Sequence, residues 1–310
     1  MKKTSIMVVE DEMIVAEDLR LRLLAMGYHV FDTIGSSEEA LSCVASYAPD
    51  LILMDIGLEG SSMDGIETAR EILSRFDVPV IFVTAFDDET TLNRAKIANP
   101  FAYIIKPFNE RELYSAIELA LYKHHSEMEI KKRDAILFAI SFSVEWYLRY
   151  QKERRNAKDY DMNVKDSGIM DILEHIRIAA QATSVGVFRL DPETGGNGDA
   201  RIQYSSVEAG FHDPMLSLEK GSVSLRFSTN LWKFLLASGQ AISGDVTTLP
   251  ENERRFFEEQ GILSVAILPL FKNGSLWGFV GYADKASRDW SEGEIEGLLT
   301  AGNIIGAVLD

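Results

Sequence analysis

The sequence predicts an α/β domain on a doubly wound, five-stranded parallel sheet, then a helical connector, then an α+β domain on an antiparallel sheet. Three observations carry this. Over about the first 120 residues, short β-rich apolar runs alternate with amphipathic segments. From 109 to 160 the chain contains neither proline nor glycine. Beyond about residue 161, strand-like runs are joined by turn-rich segments. The implied domains are 1–123, 124–160 and 161–310.

In the first domain the expected strands are "SIMVV" (5–9), "YHVFDTI" (28–34), "LILM" (51–54), "VPVIFVT" (78–84) and "AYII" (102–105). Between them "MIVAEDLRLRLLAM", "SEEALSCVASY", "GIETAREILSRF" and "ETTLNRAKIA" have helical spacing. Ser36 and Glu39 have the spacing of a capping box at the second helix. Five strand-then-helix units require crossovers, so the sheet is parallel and covered on both faces.

The stretch 109–160 reads as one long helix or two joined ones. Its apolar positions include Leu113, Ile117, Leu121, Met128, Ile136, Ile140 and Trp146. This seam is less regular than a coiled coil demands, so a homodimer through the connector and the second domain is an expectation only. His124 and His125 read as a solvated pair on this helix, because no acid stands directly after His125 and no nucleotide-binding half follows.

In 161–310, "SGIMDILEHIRIAAQA" reads as a helix, and "SVGVFRL" and "ARIQYSSVE" read as strands across the turn-rich "DPETGGNGD". Lys272-Asn273-Gly274 between "ILSVAILPLF" and "SLWGFVGYAD" signals a hairpin. Ser291 and Glu294 cap a terminal helix running to about residue 308. No paired carboxylates, nucleophile triad or phosphate loop stands out here. His175 and His212 lack partners at metal-ligand spacing, and no turnover enzyme is expected.

Composition bounds the function classes. With 310 residues, 46% hydrophobic and 25% charged, the chain suits two globular domains. A formal net charge of −17 argues against a nucleic-acid partner, which needs a clustered basic face. The one cysteine, Cys43, excludes an intrachain disulfide and suits a reducing cytoplasm. The N-terminal "MKKTSIMVVEDE" does not read as a signal peptide, and "AILFAISFSVEWYL" is too short to span a membrane.

Open parallel sheets bind ligands beyond the carboxyl ends of their strands. Those ends carry Glu10 and Asp11 after the first strand, Asp55 after the third, Thr84 at the end of the fourth and Lys106 after the fifth. Clustered carboxylates repel one another unless a cation sits among them, and Mg²⁺ prefers such oxygens. One oxygen of Asp55 can then attack a phosphoryl group whose charge Mg²⁺, Lys106 and the Thr84 hydroxyl share.

"VVEDE", "LMDIGLEG", "VTAF" and "YIIKPF" resemble, in order and spacing, the flavodoxin-like receiver domain of two-component response regulators. The resemblance implies that Asp55 is the phosphoacceptor and that Glu10, Asp11, Asp55 and the Gly57 backbone carbonyl hold Mg²⁺. It implies that Thr84 turns toward the phosphoryl group, that Lys106 pairs with it ahead of a cis peptide to Pro107, and that Tyr103 is the aromatic switch. A sensor histidine kinase is the implied donor. In the second half Trp232, Gly239, Asp245, "GILS" (261–264), Pro269, Asn273-Gly274, Trp277-Gly278 and "RDWSEGEIEGL" resemble a GAF domain, a sensory or dimerisation module. The aromatics Phe188, Tyr204, Phe211, Phe227, Trp232 and Trp277 are read as core sooner than as a pocket, so the ligand of this domain is left unassigned.

Overall fold

The computed structural model describes residues 3–85, 94, 98, 100–156, 162–190, 200–211 and 230–309. The chain divides into two units, Met1–Glu129 and Ile130–Asp310.

In the first unit, β1 (Ser5–Val9), β2 (His29–Ile34), β3 (Leu51–Met54), β4 (Val80–Thr84) and β5 (Ala102–Ile105) form one parallel sheet in the order 2-1-3-4-5. The three central strands are buried along their whole length, as expected of strands covered on both faces. Successive side chains alternate between the faces. Ile6, Val8, Leu51 and Leu53 pack with Leu19 and Leu23 of α1 (Met13–Ala25). Met7, Val9, Ile52 and Met54 pack with Ala40 and Val44 of α2 (Ser37–Tyr47) and Ile66, Ala69 and Ile72 of α3 (Gly65–Leu73). The helix expected over "ETTLNRAKIA" lies outside the described residues, apart from Arg94 and Ala98.

One continuous helix, α4, runs from Glu110 to Asn156. Leu113, Ile117 and Ala120 belong to the core of the first unit. Ile136, Ala139, Trp146 and Tyr150 belong to that of the second. With buried Ser143 they recur at alternating intervals of three and four residues. This seam is more regular than the sequence suggests, because alanine, serine and tyrosine do not announce a buried face. The end of the expected connector, 157–160, lies outside the described residues.

In the second unit, α5 (Met162–Ala179) precedes a five-stranded antiparallel sheet of β6 (Ser184–Leu190), β7 (Ala200–Val207), β8 (Ile242–Asp245), β9 (Ser264–Lys272) and β10 (Ser275–Asp284). Its order is β7-β6-β10-β9-β8. The expected hairpin joins β9 to β10, with Asn273 at φ 51° and Gly274 at φ 78°, the left-handed pair that a two-residue hairpin turn requires. One sheet face packs Val185, Val187, Leu268, Val280 and Tyr282 against α5 and α8 (Glu292–Val308). The other packs Phe188, Val265, Ile267 and Phe279 against Trp232 and Leu236 of α6 (Asn230–Ala237) and Phe257 of α7 (Glu251–Glu258).

The aromatics divide accordingly. Phe188 and Trp232 are core, Tyr204 and Trp277 are partly buried against the helical face, and the Lys285 ammonium sits 4.2 Å from the Phe211 ring centroid. Phe227, His212 and the whole "DPETGGNGD" turn lie outside the described residues. His175 stacks on Phe142 with centroids 4.2 Å apart.

Three local readings are refined. Ser291 and Glu294 form the full capping box. Ser36 supplies only one of its two expected bonds, accepting from Glu39 N at 3.4 Å. A full box forms at Asp64 and Glu67 instead, at the head of α3. His125 is exposed, whereas His124 is half-buried: its ring meets Asp77 at 3.1 Å and the edge of Phe101, because a helix docked on a sheet covers half its circumference.

Candidate functional site

The sheet order reverses between β1 and β3, and the residues following these two strands meet there. Glu10 N donates to Ile34 O at 2.8 Å and Asp55 N to Val9 O at 2.9 Å, so both residues leave the sheet in ladder register. Glu10 is buried, Asp55 nearly so, and Asp11 is half-buried. One carboxylate oxygen from each lies within 4.8 Å of the other two.

Lys106 closes the group from the far edge. Its backbone N donates to Thr84 O at 2.8 Å, and its peptide to Pro107 is cis. Its ammonium donates to Asp55 Oδ2 at 2.6 Å and to Glu10 Oε2 at 2.7 Å. Burial pushes the Glu10 carboxyl up to about 7, with Lys106 opposing the shift and the neighbouring Asp55 charge adding to it. Burial works against the Lys106 ammonium, but its bonds to Asp55 and Glu10 outweigh that and raise it.

The other Glu10 oxygen, Oε1, is buried and meets no hydrogen-bond donor among the described residues. An orphaned acceptor beside two further carboxylates is a donor set for a hard divalent cation, so the residues fit one. Gly57 follows Asp55 by two residues and donates its N–H to Asp55 Oδ1 at 3.1 Å. Thr84 is fully buried at the end of β4. Tyr103 packs its ring 5.9 Å from that of Phe82, and burial raises its phenol. Its hydroxyl is buried without a hydrogen-bond partner among the described residues.

Two participants escape a reading of strand ends. Gly65 opens α3 so close to β3 that a Cβ there would lie 1.8 Å from the Asp55 carbonyl oxygen. Glu38, in the first turn of α2, accepts from Ser62 N at 3.2 Å and from Ser37 Oγ at 3.0 Å; the Ser62 side chain foremost, then Glu38's own backbone N–H, the Ser37 hydroxyl and the Ser62 N–H lower its carboxyl to about 2. The Asp64-to-Glu67 spacing was a readable helix start. The need for glycine at 65 arises only from packing.

Residues 6–118 match the family model of the response regulator receiver domain, and residues 169–309 that of the GAF domain. The transcriptional regulatory protein PdtaR of Mycobacterium tuberculosis is 35% identical over 116 residues, which cover 37% of this chain and 56% of that protein. The chain thus spans just over half the length of the curated relatives it matches. Among solved structures, the signal receiver domain of a modulated diguanylate cyclase from Desulfovibrio desulfuricans G20 is 37% identical, with a TM-score of 0.39, covering 41% of this chain and 99% of that one. The N-terminal domain of a response regulator/sensory box/GGDEF three-domain protein from Carboxydothermus hydrogenoformans is 32% identical, with a TM-score of 0.38, covering 40% of this chain and 98% of that one. Two matched domains, a 2-1-3-4-5 parallel sheet and an antiparallel one therefore agree: this chain carries an N-terminal response regulator receiver domain and a C-terminal GAF domain.

Proposed function

We propose that Asp55 accepts a phosphoryl group and that the GAF domain responds to it. The observation that carries this reading is the Lys106 ammonium bridging Asp55 and Glu10 where the sheet order reverses. An Asp55 oxygen attacks phosphorus, an O–P bond forms, and the donor's bond to phosphorus breaks with its electron pair leaving on the donor. Mg²⁺ bound by Glu10, Asp11, Asp55 and the Gly57 carbonyl would supply neutralisation of the phosphoryl charge. Lys106 then exchanges its bond to the carboxylate for one to a phosphoryl oxygen, and the Thr84 hydroxyl donates to another. With Thr84 drawn inward, Tyr103 repacks, and its hydroxyl, without a hydrogen-bond partner among the described residues, favours a ring free to change rotamer.

The donor in this reading is a cytoplasmic sensor histidine kinase. Met13 and Ile14, 84% and 86% exposed and two and three residues beyond Asp11, supply an apolar rim for such a protein. The reaction modifies the protein itself, with no turnover of a separate substrate. The signal passes along α4, whose side chains belong to the core of the receiver at one end and of the GAF domain at the other. A small molecule in the GAF domain, or a homodimer through it and α4, would act on the same equilibrium. No helix among the described residues is long and apolar enough to cross a membrane.

Intact-mass measurement after incubation with acetyl phosphate and Mg²⁺ tests the assignment. One added phosphoryl group is expected in the wild type and none in Asp55→Asn. Equal phosphorylation of both would sink it.

A further inference from the structure

Nine residues, 56–64, connect Asp55 to α3. Apart from Asp64 N, which donates to Glu67 Oε2 at 3.3 Å in the α3 capping box, three of their backbone N–H groups are held by carboxylates from three different places: Gly57 N by Asp55 Oδ1 at 3.1 Å, Glu59 N by Asp11 Oδ2 at 3.1 Å, and Ser62 N by Glu38 Oε1 at 3.2 Å. Ser37 adds a fourth tie through its own N–H to Ser61 Oγ at 3.3 Å. Gly60, at φ 78°, provides the turn between the second and third anchors.

Two of these three acids, Asp55 and Asp11, are also members of the candidate metal cluster. A cation drawing on their oxygens competes with the Gly57 and Glu59 amides for the same charge. Glu38 is the anchor that lies outside the cluster, so its grip on Ser62 does not weaken when the cluster is loaded. Its carboxylate is kept in place by Ser37 Oγ at 3.0 Å, and Ser37 is itself fully buried.

We infer that Glu38 is a positioning residue for metal binding and phosphorylation: it fixes the loop that carries Gly57, through Ser62, while Asp11 and Asp55 are engaged by the cation. The inference rests on the phosphoacceptor reading of Asp55. It assigns Glu38 no contact with the ion or the phosphoryl group. Its effect is therefore on the Mg²⁺ concentration required, not on the rate once the site is full.

The test uses the full chain as wild type, Glu38→Ala and Glu38→Gln, with MgCl₂ titrated calorimetrically and acetyl phosphate labelling followed at each Mg²⁺ concentration. Loss of one charge-assisted hydrogen bond predicts about three- to tenfold weaker Mg²⁺ binding in Glu38→Ala. The half-maximal Mg²⁺ for labelling should rise by the same factor, with an unchanged rate at saturation. Glu38→Gln keeps an oxygen acceptor for Ser62 N and should recover most of the affinity. Circular dichroism melting separates this from general unfolding. Equal Mg²⁺ affinity in wild type and Glu38→Ala, or a lowered rate at saturation with unchanged affinity, would overturn the inference. A wild type that neither binds Mg²⁺ nor becomes labelled would overturn the Asp55 reading, and this inference with it.

Discussion

Gly65 lies against the backbone of Asp55: a Cβ at residue 65 would stand 1.8 Å from the Asp55 carbonyl oxygen and 2.9 Å from the Ile56 Cα. The first turn of α3 thus rests on the peptide that leaves the proposed phosphoacceptor, with Gly65 N donating to Ile56 O at 2.9 Å. Gly65→Ala must push two backbone segments apart. It should lower receiver stability by about 1–3 kcal/mol, as overpacking does, and slow Asp55 labelling in the folded fraction. Urea unfolding and acetyl phosphate labelling read the two effects, and an alanine variant equal to wild type in both would refute the close packing.

Lys106 is the cation that makes Glu10 and Asp55 tolerable neighbours. Lys106→Ala leaves two carboxylates facing each other, so the protein should melt at a lower temperature in chelator. Added Mg²⁺ should restore more of the melting temperature in the variant than in wild type, because the ion replaces the missing charge. Scanning fluorimetry with and without Mg²⁺ decides it. A variant that Mg²⁺ leaves unchanged would show that the cluster does not take the ion.

Glu38 titrates below its ordinary range, pulled down to about 2 chiefly by the Ser62 side chain. With the folded value below the unfolded one, the ionised form favours the folded state. That contribution is present above about pH 4.5 and is lost as pH falls toward about 2. Carbon-detected NMR of the side-chain carboxyl should place its midpoint well below that of an ordinary glutamate. Ser62→Pro, which removes both the Ser62 hydroxyl and its N–H, should move it back up, and a normal midpoint in wild type would contradict the brace.

In the second unit a Cβ on Gly168 would lie 2.0 Å from the Trp146 ring, so α4 and α5 cross where one side chain is absent. Trp146→Ala should cost about 3–5 kcal/mol by opening a cavity, and Gly168→Ala about 1–3 kcal/mol by overpacking. Denaturant unfolding of the full chain, followed by a probe in the GAF domain, measures both. Small changes in both variants would place this crossing outside the core.

The strand ends were legible because each carries a polar residue straight after an apolar run, and a parallel sheet brings those ends to one edge. Thus Glu10, Asp11, Asp55 and Lys106 stand out in the sequence alone. Gly65 and Glu38 do not, because their partners, the Asp55 carbonyl and the Ser62 amide, are backbone groups that exist at any sequence. The partial burial of His124 is hidden for a related reason: no local pattern announces that Asp77 and Phe101 will lie beside it.

By itself, the sequence determined the two domains, the alternation that makes one sheet parallel, the hairpin at Asn273-Gly274 and the acids at the carboxyl edge. Periodicity, turn chemistry and charge are properties of neighbouring residues and survive in one dimension. Only the tertiary structure decided which acid holds which amide of the 56–64 loop, how Lys106 divides its bonds between Glu10 and Asp55, and which face of α4 enters the GAF core. Those choices follow from distances of a few ångströms between residues far apart along the chain, and packing sets them.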